Sequence, residues 1–158
     1  MTTLLIFLAV AAAIGFALLL TLAAKVDNWQ RDLSTNFAET TQAADDPALH
    51  PLRTELPPAE LAKIVARAVA DIPRWQQADH QSTSEDQAGS TEKESLAFHF
   101  VRTTPLLRFR DDIHVQITPT AAGSELNAQS RSRIGKGDLG QNPRNLKELL
   151  AAVRARLP

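Results

Sequence analysis

From Met1 to Ala24 the chain carries no charged side chain, and the first one is Lys25. The run TLLIFLAVAAAIGFALLLTLAA fills residues 3–24. At about 1.5 Å of helix per residue it spans roughly the 30 Å hydrocarbon layer of a bilayer. Residues 1–24 are therefore expected to form a single-pass anchor, with the lipid bilayer as the partner of residues 3–24. A cleaved signal peptide would place bases before the apolar run and end it at an A-x-A-like site. No base precedes this run, and Leu22-Ala23-Ala24 is a poor cleavage site. Lys25 and Arg31, just past the span, favour a cytoplasmic C-terminal domain, although two charges make a weak vote.

What remains of the 158 residues suffices for one modest domain. Residues 25–55 are polar and broken by Asp45-Asp46-Pro47 and His50-Pro51. They read as a tether with one short helical turn near Trp29, which leaves residues 56–158 as the domain. Pro57-Pro58 suits a helix start. Leu61, Ile64, Val65, Ala68 and Val69 then recur at helical spacing up to Ile72-Pro73. Trp75 is expected to fold back onto the core, and Gln76–Ser95, almost free of apolar residues, reads as a surface loop.

Leu96, Phe98 and Phe100 alternate with Ala97, His99 and Val101, which marks a strand. Ile113, Val115 and Ile117 alternate likewise, and a turn at Thr120–Gly123 leads to Leu126 and Ala128. Requiring both apolar sets to share a face pairs Val115 with Ala128 and Ile117 with Leu126. That register sets Asp112 opposite Arg131 and His114 opposite Gln129, and it predicts a cross-strand pair between Asp112 and Arg131. Asn142-Pro143 reads as the cap and first residue of a last helix striped by Leu146, Leu149, Leu150, Val153 and Leu157. The expected class is α+β: a small antiparallel sheet with helices on one face, preceded by one N-terminal transmembrane helix.

Between the last strand and the last helix, Gly135, Gly137 and Gly140 fall on the spacing GxGxxG. A dinucleotide loop needs a βαβ unit and an acidic residue about twenty positions on, and a P-loop needs GxxxxGK followed by Ser or Thr. Neither context is present here, and no cofactor is implied. The loop does lead into a helix N-terminus, where backbone amides and the helix dipole favour an anion. It also lies in a basic end: residues 131–158 hold seven bases against two acids, while residues 25–100 hold seven against thirteen. Arg131, Arg133, Lys136 and Arg144 could converge on an anion there with Gly137, Asp138 and Asn142. Alternatively, Asp138 fills the helix N-terminus itself and the arginines pair with Asp111 and Asp112.

The run SRSRIGKGDLGQN, preceded by FRDDIHVQI and followed by the striped helix, resembles the domain of unknown function family 1499. That family carries an SR-x-G-x-x-D-x-G-x-N signature after a DD-containing strand, and the resemblance covers about Leu52 to Leu157. It implies a bacterial, cyanobacterial or plastid protein, often tethered to a membrane by a helix or a lipid, and it implies no particular activity. Lipid-anchored members imply a periplasmic domain on the inner membrane of a bacterial envelope. The family commonly has a base just before the first apolar residue of the last helix; here that position is Asn145, beside Arg144.

Two functions are expected to compete. The first is a membrane-tethered binding or accessory module that recognises an anionic ligand, a lipid headgroup or a partner protein. Its surface would be a polar strand face containing Asp111, Asp112, His114, Gln116, Asn127, Gln129, Arg131 and Arg133, together with the glycine loop. The second is a hydrolase or metal-dependent enzyme built on Asp111, Asp112, His114, Ser130 and Ser132. The register turns Ser130 away from His114, which argues against a Ser-His-Asp triad. His99 and His114 lack the HxH or HExxH spacing of a metal site. The absence of cysteine excludes disulfides and thiolate chemistry. The basic end has no interleaved aromatics, so nucleic acid is not an expected partner.

Overall fold

The computed structural model describes residues 2–23, 29–78, 95–105 and 107–158. Most of the expected surface loop 76–95 lies outside the described residues. Helix α1 (Thr2–Ala23) is long and apolar enough to cross a membrane over Thr2–Thr21. Its apolar side chains are distributed around the whole helix rather than along one stripe, as suits a lipid-facing helix better than a half-buried one.

Beyond it, α2 (Trp29–Ser34) supplies the short helical turn expected near Trp29. The strands are β1 (Phe37–Glu39), β2 (Leu52–Thr54), β3 (Trp75–Gln77), β4 (Leu96–Thr103), β5 (Arg110–Thr120) and β6 (Gly123–Ser132). They form one antiparallel sheet in the order β1-β6-β5-β4-β3, and β2 shares with β1 the free edge of β6. Two helices, α3 (Pro58–Ala70) and α4 (Gln141–Arg154), complete the α+β domain.

Both helices lie on the same side of the sheet. Leu61, Val65, Ala68 and Val69 of α3, and Leu146, Leu149, Leu150 and Val153 of α4, pack on Phe100, Ile113, Val115, Ile117, Leu126 and Ala128. Trp75 closes the core beside Phe100, at 6.5 Å between ring centroids. The hairpin register is the expected one: Val115 faces Ala128, Ile117 faces Leu126, Asp112 faces Arg131 and His114 faces Gln129.

Residues 25–55 require a correction. In place of a tether with little regular structure beyond the turn near Trp29, this stretch contributes β1, β2 and a 3-10 turn at Pro47–Leu49, with Leu49 and Leu52 buried in the core. The reason is an exposed edge: without these strands β6 would leave its outer row of N–H and C=O groups unpaired. Thr40 extends the seam, its N–H donating to the Ala128 carbonyl at 2.9 Å and its Oγ1 accepting from the Ala128 N–H at 2.9 Å.

Candidate functional site

Alternation along the strands divides the chemistry-bearing residues between two faces. Asp112, His114, Gln116, Asn127, Gln129, Arg131 and Arg133 stand on the face opposite α3 and α4, which no helix covers among the described residues, joined by His99 from β4 and Phe37 from β1. Asp111, Ser130 and Ser132 project to the helix-covered side and are buried. Asp111 is thus misplaced by the expectation that put it on the polar strand face, because its neighbour Asp112 takes the outward phase. The Asp/His/Ser cluster is split by the sheet itself, so His114 has neither serine within reach.

On the open face Asp112 is the centre of charge. Arg133, just past the end of β6, donates from Nε and Nη2 to its two oxygens, both at 2.7 Å. His99 Nε2 lies 2.8 Å from Oδ1. The Arg133 hydrogen bonds, opposed by burial and helped by His99, hold the Asp112 carboxyl at about 2 against an ordinary 3.8. With both oxygens engaged, Asp112 makes no ion pair with its directly opposite residue, Arg131, which has none among the described residues. The expected Asp112–Arg131 pair is therefore correct in register and wrong in contact. Arg131 instead rests its guanidinium over the Phe37 ring, 5.2 Å from the centroid.

His99 and His114 stack with ring centroids 4.4 Å apart and planes 8° from parallel. Partial burial, and then the neighbouring His99, push the His114 pKa below 6.5. Parallel rings keep their nitrogens side by side rather than convergent. Among the described residues no group of three or more His, Asp or Glu is arranged to hold a metal ion. Two shallow grooves run over this face. One, of about 310 Å³, lies along His99, His114, Gln116 and Gln129; the other, of about 270 Å³, lies between Phe37, Asp112, His114, Gln129 and Arg131.

The covered side holds a closed polar network at the start of α4. Asp111 accepts from Ser132 Oγ at 2.7 Å and Asn145 Nδ2 at 3.0 Å. Ser130 Oγ donates to Asn142 Oδ1 at 2.6 Å, and Asn142 Nδ2 donates to the Asn36 carbonyl at 2.7 Å and to Ser132 Oγ at 3.0 Å. Asn145 meets Asp111 as a neutral amide. Buried polar groups of this kind are tolerated because each finds a partner.

The glycine loop docks on α2. The Asp138 and Leu139 amides both donate to the Asp32 carbonyl, at 3.1 and 2.9 Å. Gly137 passes so close that a Cβ would fall within the Leu33 carbonyl, and Gly140 adopts φ 73° with the Asp32 carboxylate and the Arg144 guanidinium crowded against it. Chain geometry, then, accounts for these two glycines of the GxGxxG spacing.

The expected cap is corrected as well. Helix α4 starts at Gln141 after Gly140, so Asn142 lies inside the helix and Pro143 is its third residue. Asp138 closes the end: its Oδ1 accepts from the Gly140 amide at 2.9 Å, its Oδ2 from the Asn142 amide at 2.8 Å, and its carbonyl from the Gln141 amide at 3.0 Å. Pro143 has no N–H to offer. The residues proposed to converge on an anion here thus find the Gly140, Gln141 and Asn142 amides at the helix start already satisfied by Asp138. Arg131 and Arg133 belong to the open face, Lys136 is exposed at the loop tip, and Arg144 lies beside Gly140.

A larger cleft, of about 530 Å³, opens between this loop and the β4–β5 connection. Leu107, Phe109, Ile134 and Leu139 line it, and Asp111 and Ser132 stand at its floor. Sequence reading missed Phe37 and this cleft. His99 was visible in the alternation of β4, but nothing local in Phe37-Ala38-Glu39 marks a strand.

No curated protein matches the sequence. The family model described as "Protein of unknown function (DUF1499)" matches residues 30–153, a span that starts within α2 and takes in β1 and β2 as well as the SR-x-G-x-x-D-x-G-x-N signature. By that match across most of its length, the chain belongs to the DUF1499 family.

Proposed function

We propose that the chain is a single-pass membrane protein whose domain binds an anionic ligand on the uncovered face of its sheet. The observation that carries this reading is Arg131. It is an exposed guanidinium with no carboxylate partner among the described residues, oriented by Phe37 in a groove that also offers Gln129 and His114. Arg presents a planar fork of donors suited to a carboxylate or phosphate. A cation held in place before binding loses less side-chain freedom when the ligand arrives. The ligand is a small anion or an acidic group on a partner protein. The anchor is α1, and the domain stands on the periplasmic side of a bacterial inner membrane, a placement supported by the tethered and lipid-anchored proteins that the family resemblance implies.

The test is a titration of the full chain in detergent micelles with inorganic phosphate, citrate and an acidic peptide, followed through the His114 ring resonances. Binding that weakens at least about tenfold in Arg131→Gln, with the fold retained, supports the site; a tenfold loss corresponds to about 1.4 kcal/mol. Equal response of wild type and variant to every probe removes it. A reporter fused after Pro158 reads the topology, and cytoplasmic activity would reverse the orientation.

A further inference from the structure

Outside α1, every exposed large hydrophobic among the described residues lies at one end of the domain: Leu33, Leu107, Phe109, Ile134 and Leu139, between 39% and 64% exposed. Single exposed apolar side chains are ordinary on a protein surface, whereas a contiguous group marks a contact. Four of these five line the cleft between the β4–β5 connection and the glycine loop. Leu33 is brought to them by the close approach of its backbone to Gly137.

Among the described residues, the exposed charges at this end are basic. Arg108 and Arg110 flank Phe109, and Lys136 stands at the loop tip. The nearby acids are engaged: Asp111 is buried on Ser132 and Asn145, Asp112 is held by Arg133, and Asp138 caps α4. An apolar patch rimmed by bases is the composition of a surface that seats in the interface of an anionic bilayer.

Chain length indicates which surface covers the patch. Five residues separate Ala23 at the end of α1 from Trp29 at the start of α2. A chain of that length reaches at most about 20 Å. Because α2 is bonded to the glycine loop, the patch is held within reach of the membrane that α1 enters. The opposite end of the sheet, the Thr120–Gly123 turn, stands a full length of β5 away, about 35 Å.

We propose that this end of the domain lies on the bilayer, with Leu107, Phe109, Ile134 and Leu139 entering the interfacial layer and Arg108, Arg110 and Lys136 meeting anionic headgroups. The inference rests on the reading of α1 as a membrane anchor, and the experiment separates the two. The chain has no cysteine, so Leu107→Cys, Ile134→Cys, Ala122→Cys and Gly15→Cys each place one fluorophore at a known position. A side chain at Gly15 meets nothing within 4 Å.

Each labelled full-length protein is reconstituted into vesicles of phosphatidylcholine and phosphatidylglycerol in a two-to-one ratio. The quenchers are nitroxide lipids, one labelled near the headgroup and one near the chain end. Near-ultraviolet circular dichroism from buried Trp75 reports that each variant is folded. The expected result is shallow quenching at positions 107 and 134 at least about twofold stronger than at 122, as interfacial insertion requires, with position 15 quenched by the deep label. Equal quenching at 107, 134 and 122 with position 15 still deep would overturn the seating and leave the anchor standing. No deep quenching at position 15 overturns the anchor and the seating with it.

Discussion

Arg133 and Gly137 carry the most distinct consequences at the scale of single residues. The Asp112 carboxyl sits at about 2 in the folded domain against 3.8 for the unfolded group, so between those values the folded state binds fewer protons. The stabilisation from its Arg133 bonds is present above about pH 4 and is lost as pH falls through 2. Part of the pair is exposed to solvent, with Arg133 the more open partner. Its worth is therefore nearer about 1–2 kcal/mol than the full shift would imply. Chemical denaturation at stepped pH should show that loss in the wild type, and Arg133→Met should flatten the curve below pH 4. An unchanged slope in the variant would mean that Arg133 does not set the Asp112 titration. Gly137→Ala is expected to cost about 1–3 kcal/mol, because the new Cβ meets the rigid Leu33 carbonyl and must push α2 from the loop. Measured stability equal to wild type would show that the loop and α2 part without cost.

Among the secondary-structure elements, β1 and β2 distinguish what was legible from what was not. The β5–β6 hairpin could be read to the residue, because five apolar side chains in strict alternation leave one register that buries them all. Phe37-Ala38-Glu39 and Leu52-Arg53-Thr54 are too short to show any period. Their strand character comes from the free edge of β6, a partner some seventy residues or more away in sequence. The choice of Arg133 over Arg131 as the Asp112 partner was hidden for the same reason: it depends on Phe37, which only the β1 pairing brings across. Likewise Asn142-Pro143 has the composition of a helix start, yet Asn142 lies inside α4, where its side chain accepts from Ser130 and donates to the Asn36 carbonyl and Ser132 Oγ. The reassignment has a sharp test. Leu52→Ala should lower stability by about 2–4 kcal/mol, as for any fully buried leucine, whereas a leucine in a loose tether would cost nothing measurable.

For the whole molecule, one sheet with helices on one side gives a thin two-layer domain whose stability is a small difference between large terms. Leu52 pairs with β6 near its beginning, and Gly137 lies beyond its end. With the two sites toward opposite ends of β6, Leu52→Ala and Gly137→Ala together should add within about 0.5 kcal/mol in a single cooperative transition. Two separated transitions would divide the domain into independently melting halves. The bond between the glycine loop and α2 also has a mechanical side. Tension reaching the domain through α1 arrives at α2 before it arrives at β1, and there it meets the two amides of Asp138 and Leu139 closed on the Asp32 carbonyl. The three-residue edge strand is thereby spared the pull, much as a clamp on a cable spares the connector behind it.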